Sequence, residues 1–157
     1  MNDQIIRLES LRRQTQTSNY FAGSLYDYLN LGRPNEQQRR QALADIAEYE
    51  KQAAESLKQL GEALATLRAD APQVVEEWVG CHMDVCNRII AEAIAEGEAN
   101  PDQAPGSYPA VRLYVATETL VEWEKVLKGD LDFVLINGSY LSDYDERVTV
   151  AVEESKP

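Results

Sequence analysis

The chain has 157 residues, 44% of them hydrophobic and 27% charged, and sets 15 basic against 27 acidic side chains for a formal net charge of −12. Such a length suits one domain with its own core, or a compact domain with a helical extension; two full-sized domains do not fit, and this apolar content with 8 Gly and 6 Pro is not that of a disordered tail. Residues 1–58 hold eight Lys/Arg and eight Asp/Glu, whereas residues 59–157 hold seven and nineteen, so the excess negative charge of the second part disfavours nucleic acid and anionic membrane and favours a basic protein partner.

The longest nearly apolar stretches, residues 88–95 and 110–116, are broken by charges and fall far below the roughly 20 residues of a membrane helix. No span is expected. The start, MNDQIIRLESLRR, has no basic segment followed by an apolar block, so a secretory signal is not expected there. Two cysteines do not make a disulfide framework, and a reduced, cytoplasmic setting is the expectation.

In chain order, residues 3–31 carry helical spacing through Leu8, Leu11, Ala22, Leu25 and Leu29, with a weak polar patch over Thr15 to Asn19 that predicts one bent helix or two short ones. Gly32 and Pro34 end it, with Gly32 expected in the left-handed cap conformation. Asn35 then opens a second helix over 36–69 with Gln38 as capping-box partner. Positions 43, 46, 50, 53, 57, 60, 64 and 67 alternate steps of three and four, and all but Glu50 are Leu, Ile or Ala, the pattern of a coiled-coil seam. A helix this long predicts pairing with another helix, from this chain or from a second copy in a homo-oligomer. Asp70, Ala71 and Pro72 make a tight turn into a third helix over 73–97.

Residues 100–109, NPDQAPGSYP, read as a Pro-rich linker. Beyond it Val111, Leu113 and Val115 alternate with Arg112, Tyr114 and Ala116, the period of a strand with one buried face. Thr119 with Glu122 resembles a capping box opening a helix that buries Leu120, Trp123, Val126 and Leu127 and closes at Gly129. DFVLI predicts a second strand with an Asn-Gly turn after it, and RVTVAVE a third through Val148, Val150 and Val152. The second and third strands are expected antiparallel, the first two parallel through a right-handed crossover. The predicted fold class is therefore α+β: an N-terminal antiparallel bundle of long helices (1–99), a linker (100–109) and a β-α-β-β module (110–157).

The stretch WVGCHMDVCNRII, 78–90, holds the only histidine, His82, and both cysteines, Cys81 and Cys86. At 100° per residue Val74, Trp78, His82, Val85, Cys86 and Ile89 share one stripe, while Cys81 lies about 140° round the helix from Cys86. His82 and Cys86 could supply two zinc ligands, but no second histidine or third cysteine completes a tetrahedron. A buried histidine bonded to a carboxylate or carbonyl, with Cys86 as a small hydrophobe, is the expected arrangement. No metal, cofactor or catalytic residue is assigned. Phosphate-binding glycine motifs, H-E-x-x-H and G-x-S-x-G are absent from the sequence, and an enzyme is the less favoured reading.

Two features point to partner binding. Tyr20 and Tyr28, with Ser24, fall on a strip apart from the inward Phe21, Leu25 and Leu29, and exposed tyrosines are effective anchors. Glu118, Glu122, Asp130, Asp132, Asp143, Asp145 and Glu146 could form one anionic face of the C-terminal module. The expected function is a non-catalytic acidic interaction protein, an adaptor, regulator or inhibitor. The alternatives are an anionic mimic of nucleic acid that blocks a basic nucleic-acid-binding protein, and a small-ligand or nucleotide-binding oligomer.

Overall fold

A computed structural model describes residues 2–101, 108–136 and 140–155. It contains five α-helices and no strand among the described residues: α1 Asn2–Leu31, α2 Glu36–Asp70, α3 Pro72–Ala99, α4 Tyr108–Lys128 and α5 Tyr144–Glu154. The fold is all-helical, and the expected β-α-β-β module is overturned. The linker residues 102–107 and the Asn-Gly turn at 137–138 lie outside the described residues.

DFVLI, the expected second strand, lies in neither a helix nor a strand, and the reason for the other two corrections is visible in α4 and α5. In α4 the buried positions are Pro109, Ala116, Thr119, Trp123 and Val126, steps of three, four and seven that only a helix brings to one side. Thr119 is no cap; it lies mid-helix and its hydroxyl donates to the Val115 carbonyl at 2.7 Å. In α5 the buried residues are Tyr144, Val148 and Val152, and Val150 is exposed. A valine's preference for a strand is worth at most about 1 kcal/mol, whereas burying an apolar side chain is worth about 1.5–3 kcal/mol. A helix that buries three therefore outweighs the local preference.

The chain divides into two compact units, Arg7–Ala65 and the described residues among 1–6 and 66–157. In the first, α1 and α2 run antiparallel. The Thr15 and Ser56 hydroxyls are hydrogen-bonded at 2.8 Å, the Phe21 ring meets that of Tyr49 at 5.3 Å, and the Tyr26 hydroxyl donates to Glu50 at 2.7 Å. The polar patch does not split α1, which is one continuous helix; Thr15 and Ser18 are buried, and Thr15 also reaches the Leu11 carbonyl of its own helix. Glu9 and Arg12 are buried as well, with Arg12 Nε donating to Glu9 at 2.7 Å.

The turn between the helices rests on two residues. Gly32 donates to the Tyr28 carbonyl at 2.9 Å, but its φ is not positive; a Cβ there would stand 2.6 Å from that carbonyl oxygen, so close approach rather than left-handed backbone calls for glycine. Asn35 forms both halves of the capping box, its carboxamide oxygen accepting from the Gln38 amide at 2.8 Å and its amide donating to Gln38 Oε1 at 3.0 Å.

The seam expected on α2 is used inside the chain. Ile46, Ala53, Leu60, Leu64 and Leu67 are buried, but Leu43 and Leu57 are exposed while Ala42 and Ser56 take buried places. A straight helix drifts about 20° per heptad against a strict 3.5 repeat, and the buried stripe has followed the helix.

In the second unit α3 packs on α4 and α5. Pro72 begins it without a side-chain cap, its fixed φ suiting a first helical position. Val74, Val75, Trp78, Val79, Cys81, His82, Val85, Cys86, Ile89 and Ala93 are all buried, so α3 is covered on more than the one expected stripe. Gly129 ends α4 in the left-handed region at φ 87. Arg68, in the last turn of α2, donates to the Val126 carbonyl in the last turn of α4 at 2.8 Å and to the Leu131 carbonyl just beyond that helix at 3.4 Å.

Candidate functional site

The residues that looked most like chemistry lie at the centre of the second unit. His82 is fully buried. Its ring stacks on Trp123 at 3.8 Å between centroids, with planes 17° apart, and meets the edge of Trp78 at 5.6 Å. The two tryptophans cross at 5.3 Å and 86°. Edge-to-face and offset-stacked contacts of this kind set the positive rim of one ring against the negative face of another.

The polar partner is Tyr144. Its hydroxyl lies 2.7 Å from His82 Nδ1, and Cys86 Sγ lies 3.8 Å from the same oxygen. The thiol donates to the phenol oxygen, and the phenol and Nδ1 share a hydrogen bond whose direction follows the imidazole tautomer. The partner is thus a phenol, neither the carboxylate nor the carbonyl expected from sequence. Burial pushes the Cys86 thiol up to about 11, partly offset by its bond to Tyr144. At neutral pH it is a protonated thiol inside a core, the opposite of what a nucleophile or metal ligand requires. Among the described residues there is no group of three or more His, Cys, Asp or Glu side chains placed to hold a metal ion.

Among the described residues Trp123 Nε1 is buried without a hydrogen-bond partner, at a cost of about 1–3 kcal/mol. Three-ring packing is the compensation the structure offers.

Next to this core a second polar group ties three helices. Arg147 of α5 donates from both terminal nitrogens to Glu92 of α3, each at 2.9 Å, and from Nε to Asp143 at 2.7 Å. Arg112 of α4 approaches Glu92 at 3.4 Å and Asp143 at 3.7 Å. Two cations and two carboxylates alternate, and the fork of Arg147 engages a carboxylate on both oxygens. The Arg147 hydrogen bonds hold the Glu92 carboxyl below the usual carboxylate range, against a smaller opposing effect of burial. A lowered folded-state value means stability that is present at neutral pH and lost as pH falls through the acid range. Glu92→Gln should therefore flatten the acid side of a stability-against-pH curve. Because Glu92 is about half exposed, the loss at neutral pH should be on the order of 1 kcal/mol or less, and urea titrations at pH 3 to 7 would read it; equal slopes for the variant and the parent would rule the clasp out as a source of acid sensitivity.

The residues expected to bind a partner are distributed as follows. Tyr20 is 69% and Tyr28 38% exposed on α1, joined there by Phe21 at 44%, which sequence had placed inward. Glu118 and Glu122 are exposed on α4, and Asp130 and Asp132 are exposed just after it. Glu146 is exposed and Asp145 half-buried in the first turn of α5, where negative charge suits the helix dipole. Asp143 is occupied by two arginines and is not an open carboxylate. These acidic groups sit on helices and at helix ends, not on the turns of a hairpin.

Sequence reasoning did not find Tyr144, the ion clasp or the Glu9–Arg12 pair. Tyr144 stands four before Val148 and eight before Val152, so a helical phase for 144–154 would have marked it as inward. Within the clasp only Asp143 and Arg147, four apart, are local; Glu92 lies 20 and 55 residues from the two arginines it meets, and no local signal joins it to them.

Fold and site together define an all-helical protein with an aromatic core closed around one histidine. No protein-family model matches the chain, and no curated protein or solved structure shows similarity sufficient to argue relationship.

Proposed function

We propose that this protein is a non-catalytic interaction protein, an adaptor, regulator or inhibitor acting in the cytoplasm, and that it holds a protein partner through the aromatic face of α1. The observation that carries the reading is the exposure of Tyr20, Phe21 and Tyr28 within three turns of one helix. Large rings left in water are costly unless something covers them, and tyrosine gives up little side-chain entropy on binding. The exposed Glu118, Glu122, Asp130, Asp132 and Glu146 of the other unit favour a partner that also carries basic residues. No helix among the described residues is long and apolar enough to cross a membrane, which is compatible with a partner met in water.

The test is affinity capture with the full chain and with a Tyr20→Ala/Tyr28→Ala double variant, at low and high salt. Both positions are exposed, so the variant should keep its helical circular dichroism. Proteins held by the parent and lost by the variant at both salt concentrations support the aromatic site. A set unchanged by the variant refutes it. Should that set also vanish at high salt, the anionic-mimic reading takes its place.

A further inference from the structure

Helix α5 is held to its unit by few side chains. It has 11 residues, and those buried are Tyr144, Val148 and Val152. Isolated helices shorter than about 12–15 residues are marginal in water, so α5 depends on what it packs against, which is α3. Its first turn lacks the usual support as well. Asp143 stands at the N-cap position but makes no side-chain capping bond; its carboxylate instead accepts from Arg147 at 2.7 Å and is approached by Arg112 of α4 at 3.7 Å. Arg147 in turn reaches across to both oxygens of Glu92 on α3. The pairing of α3 with α4 is of another kind. Its buried residues are apolar apart from His82 and Thr119, and among the described residues of the two helices no carboxylate is buried.

We infer that α5 is an acid-released latch: protonation of Glu92 and Asp143 frees Arg147 and Arg112, and α5 leaves α3 while α3 and α4 stay paired, uncovering His82 and Cys86. Neutral carboxyls no longer offset the two guanidinium charges, and the charge-assisted bonds that join α5 to α3 go with them. The Arg147 bonds hold the Glu92 carboxyl below its usual range, so this hold is present at neutral pH and is lost as pH falls through the acid range. On α3 itself the neighbours of Glu92 one turn away are Arg88 and Glu96, both exposed and of opposite charge. At the other end of the contact, Tyr144 of α5 faces His82 and Cys86. The thiol stays neutral in acid. A proton gained by His82 sets a charge in a core without a carboxylate, and admitting water by release of Tyr144 relieves it, so both events favour the open form. The apolar α3–α4 pairing has no carboxylate to lose, which is why the opening is confined to α5.

Nuclear magnetic resonance of the full, isotope-labelled chain in low salt, from pH 7 down to pH 3, tests this. Backbone shifts of α5 should move to random-coil values while those of α3 and α4 remain helical. Loss of helix from all three at one midpoint overturns the latch, as does an α5 that stays helical throughout. Amide hydrogen exchange at pH 7 tests the clasp separately. Glu92→Gln removes the charge that acid would remove, and exchange in α5 should quicken by up to about fivefold, the most that a half-exposed ion pair supports, with the α3 amides unchanged. Glu153→Gln makes the same change of charge at an exposed position of α5 away from the clasp and should not quicken it. Equal quickening by both variants, or none by Glu92→Gln, overturns the clasp as the hold on α5.

Discussion

Replacement of Trp123 by alanine is expected to cost the second unit about 3–5 kcal/mol. The side chain is fully buried, stacks on His82 and crosses Trp78, so its removal leaves a hole bounded by two rings that cannot both move into it. Against a total stability of about 5–15 kcal/mol for a typical domain, that is a large share, and partial unfolding near room temperature is a realistic outcome. The measurement is convenient because both tryptophans of the chain belong to this cluster. Their fluorescence in urea follows the second unit alone, while far-ultraviolet circular dichroism follows both. A cost below about 1 kcal/mol would show that the three-ring cluster is not the keystone of α3, α4 and α5. Trp123→Phe is the informative companion. It forfeits packing but removes the partnerless Nε1, so it should cost less than half as much as alanine.

The second large effect is expected at the His82–Tyr144 bond. Tyr144→Phe leaves the Nδ1 of a fully buried imidazole without the hydroxyl it meets at 2.7 Å, and removes the acceptor of the Cys86 thiol. An abandoned buried polar group costs about 1–3 kcal/mol. His82→Phe abandons the phenol in the same way. Both groups replaced together by phenylalanine remove the polar pair from an apolar surround, and the double variant should then be less destabilised than the two single losses added. A double-mutant cycle on unfolding free energies measures that difference. Strict additivity would mean that the bond is incidental and that the rings are held by packing alone. Neither variant is expected to disturb the Arg7–Ala65 unit, which contains none of these residues.

These two results bear on how the site should be regarded. Histidine and cysteine within one helical turn invite a catalytic or metal-binding reading. Tyr144 takes up Nδ1 of His82 and the Cys86 thiol, and burial keeps that thiol protonated at neutral pH. The polar triad places an imidazole against two tryptophans and a phenol beside it without leaving either unpaired. In the function proposed above, recognition falls to exposed rings and carboxylates on the outside of the helices.

The long N-terminal helices and their boundaries were legible from residues 1–99 because each has a strong local signature. Asn35 and Gln38 cap α2, Pro72 begins α3, and the stripe through Val74, Trp78, His82, Val85, Cys86 and Ile89 has one period along its whole length. Residues 110–157 were misread because their apolar positions satisfy two periods at once. Val111, Leu113 and Val115 alternate as a strand does, and Leu113, Leu120 and Leu127 return as a helix does; Val148, Val150 and Val152 are ambiguous in the same way. Local spacing cannot choose between such patterns. The choice falls to whichever partner surface is available, and here it was α3, whose Trp78, His82 and Cys86 offer a curved apolar flank and no sheet edge.

By itself, then, the sequence determined where helices begin and end in its first part, one of the stripes of α3 that turn inward, and that the excess charge lies beyond residue 58. Only the tertiary structure decided that the second part is helical, that Tyr144 is the partner of His82, and that Asp143 is spent on two arginines. Capping, proline and periodicity act over a few residues and are written locally. A hydrogen bond across 62 residues, or the preference of one helix for another over a sheet, is a property of surfaces that exist only once the chain has packed.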